Sequence, residues 1–136
     1  RVSPNNSFDA ESVLYLAQMG IIPLLAASIT SWLLVFFIAS TYIRWYGTSG
    51  VHFIIVHYVV DIFVVGLVFW FYYHFAKTYS PFITMAIAMT TICVLEFVFW
   101  GFIYKGQIQL LNFTHFIVPM FLVASIIYII GIIYRN

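Results

Sequence analysis

The sequence predicts an all-α polytopic membrane protein: four transmembrane helices in a bundle, with a short interfacial helix near the N-terminus. Three observations carry that expectation. Hydrophobic residues make up 65% of the 136-residue chain and charged residues only 7%. A soluble domain has about 25% charged residues, so this surface is not built to face water. The apolar residues gather into four stretches, about 21–44, 51–74, 82–104 and 112–134. Each is close to the roughly 20 residues a helix needs to cross about 30 Å of hydrocarbon. The separators RWYGTSG, KTYSP and YKGQIQLLN are short, and Gly47, Gly50, Pro81 and Gly106 punctuate the pattern as breakers. Residues 1–136 therefore read as one membrane domain.

The N-terminal segment needs its own account. From Ser12 to Tyr46 the chain never turns polar. As one straight helix that run would extend roughly 50 Å, more than the membrane. Ser7 is a candidate helix cap, and Asp9 and Glu11 suit a first helical turn. Val13, Leu14 and Leu16 then supply apolar area until Gly20 and Pro23 interrupt. These signals predict a short interfacial helix over about 8–19 that leads into the first span. The competing arrangement is a single long tilted helix kinked at Pro23.

Aromatic residues close each span: Tyr42, Trp45 and Tyr46 the first, Trp70, Tyr72 and Tyr73 the second, Trp100 and Tyr104 the third, and Tyr134 the fourth. Such positions match interfacial belts. Orientation is not encoded clearly, because Arg1, Lys77 and Arg135 fall on one face and Arg44 and Lys105 on the other. The face carrying the Arg44 and Lys105 connections is called the near face below.

The second span contains HFIIVHYVVDIF, residues 52–63, which places an imidazole and a carboxyl group deep among apolar side chains. From the helix rise, His57 lies roughly 9 Å below the near face, Asp61 roughly 15 Å, Glu96 of the third span roughly 12 Å and His115 of the fourth roughly 6 Å. Four ionisable residues on three helices thus share one leaflet. His57 and Asp61, four apart, share a helix face. An aspartate at mid-span costs about 2.5–3.5 kcal/mol on insertion scales, so these groups are expected to face the bundle interior and one another.

Two readings of the cluster compete. In the first, His57, Asp61, Glu96 and His115 handle a proton or a metal cation, the usual role of ionisable side chains at this depth. Two histidines and two carboxylates offer N and O donors suited to zinc, iron or manganese. Proton handling asks less, needing only a carboxyl group beside an imidazole. In the second reading the same residues are interhelical glue, and the chain is a structural or accessory subunit of a larger membrane complex. A further alternative is a haem- or metal-bearing redox subunit, with His57 and His115 as axial ligands. Met85, Met89 and Cys93 fall on the Glu96 face of the third span, a possible soft-metal face for Cu(I), although Met and Cys also serve as core filler. The cofactor is therefore open between a metal ion and, less favoured, a haem.

Composition narrows the remaining classes. A net charge of +1 gives no basic field for nucleic acid. One cysteine allows no intrachain disulfide framework. No Gly-rich phosphate loop or nucleophile elbow occurs, which leans away from an enzyme. The expected partners are the lipid bilayer and either further copies of the chain or other membrane subunits.

Overall fold

Helix α1 runs unbroken from Ala10 to Tyr46 and passes through Pro23. The computed structural model describes residues 10–47, 50–76, 79–103 and 113–135. In place of a separate helix over 8–19, its described part is the first section of α1, so the expected break at Gly20 and Pro23 is corrected to a continuous helix. The reason lies in the environment that the composition calls for. Proline inside a helix costs about 3 kcal/mol, whereas ending a helix in hydrocarbon strands several backbone groups at several kcal/mol each. The carbonyl that Pro23 leaves without an intrahelical donor belongs to Met19, an exposed residue at the margin of the apolar span. At 37 residues, α1 is about 55 Å long and overreaches a bilayer core.

Gly47 and Gly50 sit at φ 77° and 118° in the turn after α1, a region that glycine enters without steric penalty. Helix α2 spans Val51–Phe75 and helix α3 spans Pro81–Val98. Ser80 caps α3 by accepting from the Ile83 amide at 3.4 Å, and Pro81 takes the first turn, where its missing N–H costs nothing. Helix α3 continues into a π-turn, Phe99–Ile103, and a second π-turn, Phe113–Ile117, leads into helix α4, Val118–Arg135.

Four helices are long and apolar enough to cross a membrane: Met19–Tyr46, Val51–Phe75, Pro81–Ile103 and Phe113–Arg135. Helix α1 packs on α2 and α3, and α4 packs on the same two. The four therefore form a closed ring of neighbours around a shared interior. Leu24, Val65, Phe69, Ala88, Ile92 and Ile127 fill its middle. Phe37, Phe63, Phe102 and Phe121 stand fully outward, a disposition that is stable in lipid and aggregation-prone in water.

Two assignments to the aromatic belts change. Tyr72 and Tyr73 are 6% and 3% exposed and belong to the interior. Trp100 turns inward as well, as described below. Residues 8, 9, 104 and 112 of the expected elements, together with Lys77, Lys105, Gln107 and Gln109, lie outside the described residues.

Candidate functional site

Asp61 is the buried carboxyl of α2, 3% exposed, and His57 stands one turn before it. The i,i+4 spacing brings His57 Nε2 to 3.6 Å from Asp61 Oδ2, within ion-pair range but beyond a hydrogen bond. Neither His57 Nδ1 nor Asp61 Oδ2 has a hydrogen-bond partner. This pair is close, buried and incompletely satisfied.

Glu96 is held quite differently. Trp32 of α1 donates its indole N–H to Oε1 at 2.9 Å, and Trp100 donates to Oε2. Trp100 lies in the π-turn, four residues after Glu96, so one clamp is local and the other joins α1 to α3. The Trp32 ring stacks on Phe36 at 5.5 Å and meets Phe99 edge-on at 5.7 Å. These contacts fix the indole, and the indole fixes the carboxyl group.

His115 comes from the π-turn before α4. Phe53 lies against both imidazoles, with ring centres 5.8 Å from His57 and 5.7 Å from His115. Tyr58 donates its hydroxyl to the Thr114 carbonyl at 2.7 Å, tying α2 to the same π-turn. Short π segments recur at functional sites because the widened turn re-aims side chains and frees carbonyls. Here both flank the cluster.

The structure brings His57, Asp61, Glu96 and His115 around one cavity of about 40 Å³, with Ser31 and Trp32 completing the polar lining. A water needs about 10–15 Å³ of such space, so the cavity has room for roughly one to three. A second cavity of about 80 Å³ shares His57, Glu96 and His115 and reaches Ser40 and Ile43 near the end of α1. The second cavity, mainly apolar in its lining, therefore lies on the near-face side of the first.

The arrangement is chemically selective. Among the described residues, no three His, Cys, Asp or Glu side chains converge as metal ligands; the Glu96 oxygens are turned to indoles instead. Nor does the packing leave room for a haem between His57 and His115. Phe53 touches both rings, and the two cavities are far below the roughly 300–1,000 Å³ of ligand and cofactor pockets. Cys93 has its sulfur partner on α4, with Sγ 3.8 Å from Met120 Sδ. Met85 and Met89 pack against the apolar core.

Trp32 and Trp100 are the site residues that sequence reasoning missed. The i,i+4 spacing of Glu96 and Trp100 was a signal for the second; nothing in the linear sequence marks the first. Comparison with known protein families, curated proteins and solved structures returns no match.

Proposed function

We propose that this chain is an integral membrane protein that takes up and holds a proton at an interior carboxyl–imidazole cluster opening to one side of the bilayer. The observation that carries the reading is the cavity shared by His57, Asp61, Glu96 and His115, with a neighbouring cavity on its near-face side that shares three of the four. Asp61 and His57 are the proton-accepting groups, since both keep a buried polar atom without a hydrogen-bond partner. Glu96, between His57 and Asp61 in height, supplies a fixed wall beside them, and His115 lies nearest the entrance. A metal cation is the less supported cargo, because Glu96 already serves two indoles. Lipid covers the outward apolar faces, the N-terminal turns of α1 project beyond the hydrocarbon core, and the chain works beside further copies or other membrane subunits.

A structural role is the second reading, and one contact favours it: Glu96 joins α1 to α3 through Trp32. The two are separated by Asp61→Asn, which keeps volume and hydrogen-bonding capacity but cannot titrate. Proton uptake by the purified protein in liposomes, followed with the carboxyl stretching band in the infrared, is expected in the wild type and absent in Asp61→Asn, with assembly intact. A wild type that takes up no proton would leave the structural subunit as the reading.

A further inference from the structure

The half of the interior away from the acidic cluster contains a second polar group. Tyr72 and Tyr73 of α2 and Thr84 of α3 are buried, with exposures of 6%, 3% and 0%. Thr84 lies within hydrogen-bonding reach of both phenols, although no contact among the three hydroxyls has good hydrogen-bond geometry. Buried polar atoms are almost always satisfied, and a phenylalanine or valine would fill the same space without the desolvation cost. Packing alone does not explain three such hydroxyls in one place.

Their surroundings give a direction. Tyr73 also lines a cleft of about 460 Å³ with Tyr79, Ser80, Tyr134 and Arg135, at the end of the helices opposite the near face. Between this group and Asp61 lies a mainly apolar layer: Val65 and Phe69 of α2, 2% and 0% exposed, with Leu24, Ala88 and Ile127 from the other three helices; the buried Ser28 of α1 also lies there, its hydroxyl bonded to the Leu24 carbonyl of its own helix. Asp61 and Tyr72 are about 16 Å apart along α2, or roughly six hydrogen-bond lengths of about 2.8 Å. The interior thus reads, from the near face inward, as ionisable cavity, closely packed and mainly apolar layer, hydroxyl group and open cleft.

We infer that the Tyr72–Tyr73–Thr84 hydroxyl group and its cleft form the far-side half of a proton path whose closed gate is the layer around Phe69. This rests on the proton-handling reading of the acidic cluster and adds that the proton crosses the membrane within one chain. The proton binds first at the Asp61 cluster and passes along water admitted to the opened gate. Each hydroxyl then accepts one proton on its oxygen and releases its own onward, so none changes its net charge. A hydroxyl both donates and accepts, which suits it to this relay.

The test uses the full chain in liposomes loaded with a pH-sensitive dye, with proton flux driven by a potassium diffusion potential. Wild-type flux above that of empty liposomes is expected. The triple variant Tyr72→Phe/Tyr73→Phe/Thr84→Val should lose at least tenfold of it while still taking up protons from the near face. Phe69→Ala should raise flux; if it does not fold, the hydroxyl variant decides alone. Unchanged flux in the triple variant overturns the inference, as does a wild type that takes up protons without passing them. Absence of uptake itself would instead remove the reading on which this one stands.

Discussion

Replacing Glu96 with glutamine looks conservative from the sequence, and Asp61→Asn and Glu96→Gln would be expected to behave alike. The structure separates them. Both Glu96 oxygens accept from an indole N–H, Trp32 on one and Trp100 on the other. Indole is a donor only, and a side-chain amide offers one acceptor oxygen and one donor nitrogen. Whichever way the introduced amide is turned, one indole N–H meets an NH₂ group. The native carboxyl group avoids this in either protonation state, because both of its oxygens retain accepting lone pairs.

The cost follows from that geometry. A polar group left unsatisfied in the interior costs about 1–3 kcal/mol. Interhelical hydrogen bonds within membranes average about 0.6 kcal/mol and reach about 1.7, which sets the lower end. Glu96→Gln should therefore destabilise by about 1–3 kcal/mol, and Asp61→Asn by less than about 0.5. Thermal unfolding in detergent reads both, since 1 kcal/mol moves Tm by roughly 2–8 °C in domains from about 60 to 250 residues. Adding Trp100→Phe to Glu96→Gln removes the opposed donor, so the double variant should lose less than the two single losses combined. A Glu96→Gln protein that melts with the wild type, or strictly additive losses in the double variant, would refute the clamp.

Three further outcomes are expected. Gly131→Ala should destabilise by about 1–3 kcal/mol, the usual cost of overpacking. Its Cβ would lie 2.8 Å from Pro81 Cβ and closer still to the Tyr73 hydroxyl, which outweighs the helix propensity gained; an unchanged Tm would contradict the close approach of α4 to α2 and α3. Pro23→Ala should stabilise by about 1–3 kcal/mol by restoring the hydrogen bond that α1 lacks there, and a lowered Tm would show that the proline geometry is needed. Cys93→Ala should cost about 1 kcal/mol through its lost contact with Met120 and leave proton uptake intact; stoichiometric Cu(I) binding by the wild type that the variant loses would instead restore the soft-metal reading.

What the sequence made legible follows from length and depth. Four apolar runs near 20 residues yield four helices, because hydrocarbon admits only helices and closed barrels, and barrel strands are about half that length. Ionisable residues could be ranked by height from the helix rise alone, and His57, Asp61, Glu96 and His115 do line one cavity. Rotation and identity of partners were not legible. Tyr72, Tyr73 and Trp100 stand where interfacial aromatics stand, and a linear pattern does not say whether a ring at that height faces lipid or the interior. Trp32, in the middle of an apolar run, carries no signal until α3 is placed beside α1. At Pro23 the local breaker signal lost to the demand for a continuous helix.

The two carboxyl groups of the interior, Asp61 and Glu96, are held in different ways. A purely structural network satisfies every member, since a half-satisfied buried network is worse than an apolar core. Glu96 meets that standard, with a donor on each oxygen and a link between two helices. Asp61 does not. It is more buried than His57, its partner at 3.6 Å, and it keeps an oxygen with no hydrogen bond. A carboxyl group kept in that condition serves packing poorly, because asparagine or leucine would fill the site at lower desolvation cost. A group that must gain and lose a proton needs that unsatisfied atom, and it needs a neighbour that does not move. In the proposed proton-handling reading, the indole clamp on Glu96 is the fixed wall, and the His57–Asp61 pair holds the atoms that a proton would join and leave.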